Sequence, residues 1–229
     1  MAFPVVQQVP EIYAEQARQV AGFLRNDLAG DHPFSDLSVM PTGHANPQMW
    51  MLGSGGGSAE LAGQLGMDFA LALFIGTHDR PVDILEQYRQ AYRDAGHAGN
   101  PNALLAAAVI CADSREEAEF LAASHTYWKV QAFRHGVREG IRSPADALDA
   151  RAKLSLSDQA YFDETIATMI CGTPDDCREN LEQLAATYAV DEISVVNVTH
   201  DFEPRLRSYE LLASSFGLSQ SPTLHAVAS

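Results

Sequence analysis

The chain has 229 residues, 46% of them hydrophobic and 20% charged, with 15 Lys+Arg against 30 Asp+Glu and a net charge of −15: a globular chain able to bury a core, not a disordered one. That acidity argues against a nucleic-acid backbone or an anionic membrane surface as partner, no segment is apolar for long enough to span a bilayer, and Met1–Val6 lacks the features of a secretory signal. Three cysteines, Cys111, Cys171 and Cys177, form no CxxC pair and point to reduced thiols and a cytoplasmic location.

Residues 10–29 read as a helix, with Ile12, Tyr13, Ala17, Val20, Phe23, Leu24 and Leu28 at helical spacing and Gly30 beyond the end. Residues 31–48 read as connection, with a short strand near Leu37–Met40. Met49–Leu52 is a short apolar run broken by Gly53–Gly57. Ser58–Leu65 reads as a helix with Ser58 as N-cap and Gly66 just past its end. Phe69–Ile75 is a second apolar run, residues 80–95 are helical again, and residues 103–112, apolar throughout, have the length of a buried strand. A helix over 114–133 follows. The span 113–191 is too long for a single crossover, so its polar stretch 134–160 is expected to add helices and to serve as a lid. A helix over 174–188, a β-branched strand over 192–198 and a helix over 205–216 complete the pattern, and residues 218–229 are expected to fray as a flexible tail after a domain of residues 1–217. Four strands each followed by a helix imply an α/β fold with a parallel, helix-covered sheet.

The turn Gly53-Ser54-Gly55-Gly56-Gly57-Ser58 has a chemical reading. It leads from a strand's carboxyl end to a helix start, where glycines admit close approach and free amides face an anion such as phosphate. Read alone, it is equally an ordinary connection with Ser58 as a cap. No Gly-Lys-Ser/Thr follows, which excludes Walker A. A dinucleotide fingerprint is a near miss, with Ser58 in place of the third glycine and Asp79 at the position of the ribose acid. Residues 49–66 contain no Lys or Arg, so a phosphate here lacks a local counter-charge.

In context, the segment from Pro47 to Ala70 resembles the P-x-W-x-L-G-S-(S/G)-x-x-S-A-x-L-A-A-x-L-G-L-P-F-A signature of bacterial luciferase-like flavin monooxygenases. Three more likenesses follow in order: Cys171-Gly172-Thr173-Pro174 with V-G-T-P, Tyr188–Ile193 with Y-G-V-D-E-I, and Arg205–Ala213 with R-L-x-S-Y-E-L-L-A. Together they span about residues 10–217. The resemblance implies a partial (β/α)8 TIM barrel holding its last four parallel strands with surrounding helices. It also implies reduced FMN, supplied by a separate flavin reductase, whose phosphate would contact Ser54, Gly55, Gly56, Gly57 and Ser58. Gly55 replaces a serine common in relatives. The first half of the barrel, which supplies the family's histidine near the flavin ring and a phosphate-binding arginine, has no counterpart. An open half barrel exposes two sheet edges, so a homo-oligomer, pairing with a separately encoded N-terminal half, or a continued upstream reading frame is expected.

The implied activity is oxygenation of a small organic substrate, such as an aldehyde, with O2 and reduced flavin. A non-catalytic flavin- or phosphate-binding module or assembly subunit is the second reading, and a Rossmann-type NAD(P) domain the third. His200-Asp201, after the last strand, is a minority candidate for a catalytic pair. His78-Asp79 follows the second apolar run and reads more readily as solvated loop. No His/Cys/Asp/Glu cluster has metal spacing, and Cys171-x5-Cys177 reads as structural rather than zinc-binding. Trp50, Phe69 and Phe74 are expected in the core.

Overall fold

The computed structural model describes residues 10–40, 46–75 and 80–218. These fall into two compact units, one formed by the chain up to Leu71 with Asp83–Ala103, the other by Ala72–Val82 with the chain from Leu104 onward.

In the first unit, helix α1 (Pro10–Arg25) precedes strand β1 (Trp50–Gly53), helix α2 (Gly56–Gln64), strand β2 (Asp68–Ala72) and helix α3 (Asp83–Asp94). Helix α1 stops earlier than its apolar spacing suggests. Asn26 takes a left-handed φ of 60°, and Asp27 N–H donates to Gly22 O at 3.0 Å, closing the helix in the way Asn permits. Ile12, Tyr13 and Val20 stay exposed, while Ala21 is buried. No strand forms at Leu37–Met40. Strands β1 and β2 are parallel, with Trp50 beside Asp68 and Gly53 beside Leu71. Met51 and Gly53 are buried and Trp50 and Leu52 are exposed, so Trp50 is not the core residue expected; Phe69 is fully buried and Phe74 half-buried. The Tyr88 hydroxyl donates to the carbonyls of Met67 and Asn102, each at 3.0 Å. That ties α3 beneath the amino end of β2.

The second unit is organised on strand β3 (Ala103–Cys111), followed by α4 (Arg115–Lys129), a π-helical turn (Val130–Arg134), α5 (Pro144–Arg151), α6 (Leu156–Thr168), strand β4 (Ile170–Gly172), α7 (Pro174–Tyr188), strand β5 (Ile193–Val196) and α8 (Phe202–Ser215). Backbone groups alternate sides along a strand. Leu105 N–H donates to Glu192 O, while Ala112 N–H donates to Gly172 O. Odd-numbered residues of β3 therefore face β5 and even-numbered ones face β4, so the two lie on opposite edges. Strand β4 was not foreseen: three residues carry no periodicity. The polar stretch after Arg134 does hold helices, and α5 and α6 pack on α4 through Tyr127, Val130, Ala147 and Phe162.

The motifs noted in the sequence have local physical causes. Thr173 caps α7 by accepting from Asp176 N–H, and Asp176 accepts from Thr173 N–H in return, with Pro174 in the first turn, a reciprocal capping box. The Thr173 hydroxyl and amide, aided by Arg115 at 2.7 Å, hold the Asp176 carboxyl below its usual range. Helix α7 ends at Ala189, which has a left-handed φ of 51°, where the family pattern carries glycine. Ser208 on α8 is fully buried. Its hydroxyl accepts from Cys111 N–H at 2.9 Å and from Asn197 Nδ2 at 2.9 Å. Arg207 donates twice to Asp113, and Asn197 Nδ2 also reaches Val109 O at 3.1 Å.

Three predictions follow from this packing. Ala189→Gly removes left-handed strain and should raise unfolding free energy by about 1 kcal/mol, measured by urea denaturation; no gain would contradict the strain. Ser208→Ala leaves two buried donors unmatched and should cost about 1–3 kcal/mol. Lys129 is fully buried, and burial, reinforced by the charge of Arg80, lowers its pKa from 10.5 to about 8. Below pH 8 both states are protonated and the folded state bears the whole penalty. Between pH 8 and 10.5 the unfolded chain holds more protons, so stability rises with pH. Lys129→Met should therefore flatten that rise, measured by urea denaturation between pH 7 and pH 10.5; an unchanged slope would contradict the lowered pKa.

Candidate functional site

The glycine-rich turn joins the carboxyl end of β1 to the start of α2. Ser54 and Gly55 form a bend, and Gly55 is the N-cap, extended at φ −161° and ψ 173°, with no side-chain cap bond. The first closed turn is Ala59 N–H donating to Gly55 O at 3.2 Å. The amides of Gly56, Gly57 and Ser58 precede it, where no helical carbonyl exists to receive them. This corrects the expectation for Ser58: the helix starts two residues earlier, so Ser58 lies inside the first turn and is not its cap.

The reason is a close approach. A Cβ on Gly53 would stand 2.2 Å from Ser58 Cβ and 2.6 Å from its Oγ. The Ser58 side chain thus lies across Gly53, its hydroxyl toward the strand end. By contrast, a Cβ on Gly55 or on Gly57 would meet nothing within 4 Å, whereas one on Gly56 would stand 2.7 Å from Gln87 Oε1. Further along, Gly63 brings α2 against the backbone of α3, since a Cβ there would stand 2.7 Å from Tyr88 O and from Tyr92 N. Ala59 and Ala62 are fully buried. The turn is thereby held on a rigid support.

Charge around the turn is unfavourable to an anion. Helix α2 has no basic residue in its last turn and no acid in its first. Arg25 donates to Gly66 O at 3.1 Å, at the helix's opposite end. A groove of about 670 Å³ between α2 and α3 is lined by Glu60, Asp83, Glu86 and Asp94. A phosphate dianion would be received by amides, hydroxyls and a helix dipole, the last worth about 0.3–1 kcal/mol.

The other candidates stand apart from this turn in the sequence and in their contacts. His200 Nδ1 lies 2.8 Å from Asp201 Oδ1, both exposed. Arg207 pairs with Asp113 rather than with Asp201, and Arg205 donates to Thr199 O at 2.7 Å. His78 and Asp79 lie outside the described residues. Among the described residues no group of three or more His, Cys, Asp or Glu could hold a metal ion, and no helix is long and apolar enough to cross a membrane. Sequence reading missed Asn197 at the carboxyl end of β5. Its Nδ2 is held by two partners, while its buried Oδ1 has none in the structure. A single Asn after a β-branched run gives no signal of this.

The family model for luciferase-like monooxygenases matches residues 13–191. The uncharacterized protein YceB of Bacillus subtilis is 32% identical over 206 residues, covering 89% of this chain and 60% of that protein. A luciferase-like monooxygenase of Escherichia coli K12 is 31% identical over 163 residues, 71% of this chain and 48% of that protein. The crystal structure of apo-MsnO8 superposes on 95% of this chain and 64% of its own, with TM-score 0.74 and 26% identity. The chain thus spans about half to two thirds of the length of these relatives. With its parallel strands, its covering helices and the four ordered motifs, the chain belongs to the luciferase-like monooxygenase family.

Proposed function

We propose that this chain carries the phosphate-receiving part of a flavin-dependent monooxygenase, using reduced FMN from a separate reductase and O2 to oxygenate a small organic substrate such as an aldehyde. The observation that carries the proposal is the uncapped start of α2, with open space over Gly55 and Gly57. A glycine N-cap cannot satisfy its own helix, so the first-turn amides suit an external oxyanion. Bound reduced flavin would supply the oxygen-activating chemistry. This chain's part is to receive the phosphate on the amides of Gly56, Gly57 and Ser58, with Ser54 and Ser58 as hydroxyl donors and Gly55 as the bend that admits it. Since Ser58 leans over Gly53, its amide contributes more than its hydroxyl.

The missing counter-charge and the exposed Trp50 and Leu52 on β1 support assembly with a second chain that brings a cation and covers that strand: a second copy or a first half of the barrel. They also support the alternative reading, a flavin- or phosphate-binding module without turnover. His200 and Asp201 are retained as a weak catalytic candidate because His200 and Asp201 share a hydrogen bond beyond the carboxyl end of β5. Family membership displaces the Rossmann reading.

Flavin fluorescence titration tests the site. FMN should bind more tightly than riboflavin, which lacks the phosphate. Gly57→Asp should weaken FMN binding by roughly 10- to 100-fold, toward the riboflavin value, by loss of charged hydrogen bonds and by repulsion. The thermal midpoint should hold or rise, since an acid suits a helix start. Equal FMN binding by wild type and Gly57→Asp would refute the phosphate site. Reductase-coupled O2 consumption on an aldehyde separates the readings: turnover favours the enzyme, and FMN binding without turnover favours the module.

A further inference from the structure

We propose that Cys111 and Cys177 are a disulfide-forming pair, a modification site at the carboxyl end of β3 that hydrogen peroxide closes into a covalent link between β3 and α7. The inference is independent of flavin binding. Sixty-six positions separate the two in sequence, and the fold brings them into one core cluster with Ala107, Val109, Leu181 and Leu212. Cys177 sits in the first turn of α7, its amide donating to Thr173 O at 2.9 Å. Its Sγ lies 3.8 Å from Ile110 O and 3.7 Å from Gly172 O. Gly172 is the β4 residue registered beside Cys111. The Cys177 sulfur is therefore suspended over the peptide that immediately precedes Cys111 and the residue that pairs with it. Interaction between the two thiols lowers the pKa of Cys111 and raises that of Cys177.

Cys171 is one residue from Gly172 yet is not in this cluster. It pairs in register with Ile110 and packs against the Ile110, Ala118 and Leu121 group instead, because neighbouring residues of a strand point to opposite faces. Burial pushes its thiol up to about 12, so it is a poor nucleophile. The spacing Cys171-x5-Cys177 thus suggests the wrong pair, and the fold selects the other.

The step balances with hydrogen peroxide as the oxidant. The Cys111 sulfur attacks one peroxide oxygen as its proton leaves; an S–O bond forms, the O–O bond breaks, and the released hydroxide takes that proton to become water. The Cys177 sulfur then attacks the sulfenic sulfur of Cys111. An S–S bond forms, the S–O bond breaks, and the departing hydroxide takes the Cys177 proton as a second water. Two electrons pass from the thiols to the peroxide. Both sulfurs are buried, Cys111 at 1% and Cys177 at 0% exposure, so the rate should follow local opening of the first turn of α7.

The test is thiol titration under denaturing conditions after peroxide treatment and catalase quenching. The wild type should fall from three titratable thiols to one, and Cys171→Ser from two to none, both restored by dithiothreitol. Cys177→Ala should keep the Cys171 thiol and halt Cys111 at the sulfenic acid, with no disulfide formed. Oxidised Cys171→Ser should also unfold at higher urea than its reduced form, as a closed loop restricts the unfolded chain. Loss of one thiol in the wild type, loss that dithiothreitol does not reverse, loss of two thiols in Cys177→Ala, or a cross-link between chains would each overturn the proposal.

Discussion

The second unit rests on one constraint: β3 is buried from Leu105 to Cys111, so every backbone group along it needs a partner. Strand β5 serves one edge through Val196 and then ends. Beyond that point the odd-numbered groups would be unmatched. The buried hydroxyl of Ser208 accepts the Cys111 amide, and Asn197 donates to the Val109 carbonyl. On the other edge β4 pairs with Val109–Cys111. Helix α8 is therefore anchored by the hydrogen-bond needs of a strand. The R-L-x-S-Y-E-L-L-A likeness marks this anchoring: Arg205, Arg207, Ser208 and Tyr209 all bond to protein groups.

The first unit depends on a different constraint, the absence of a side chain at Gly53. With Ser58 lying across it, α2 begins close to the end of β1, and a glycine rather than a serine or aspartate occupies the N-cap. A helix that satisfied itself with a capping side chain would have no amides to offer. The turn keeps them by placing Gly55 at the cap, at a cost in helix stability of only about a few tenths of a kcal/mol. The surrounding carboxylates and the distant Arg25 leave this turn only dipoles, not charges, to offer an anion, and under the proposed function a cation from another chain would complete the site.

Two positions within the family pattern illustrate how local chemistry and tertiary context divide the work. Ala189 stands where glycine fits the left-handed end of α7, and the helix ends there nonetheless. The apolar run after it must enter β5 beside Leu105, and that pairing outweighs a strain of about 1–2 kcal/mol. Trp50 follows the family pattern yet is exposed, because the alternation along β1 sends Met51 and Gly53 inward and leaves Trp50 on the other face.

The amino-acid sequence by itself determined the order and type of the long elements. Apolar runs of strand length, helical spacing, the Thr173-Pro174 start of α7, and the glycine turn after β1 are local signals, set by side-chain periodicity and backbone sterics that act within a few residues. It also carried the family, through four motifs in order. The tertiary structure decided what depends on distant partners: where α2 begins, since the Gly53–Ser58 approach requires both strand and helix; the existence of β4, three residues that become a strand only beside β3; the role of Ser208; and the choice of Cys111 rather than Cys171 as the neighbour of Cys177. These are contacts between residues far apart in the chain, and they exist only once the packed elements bring them within bonding distance.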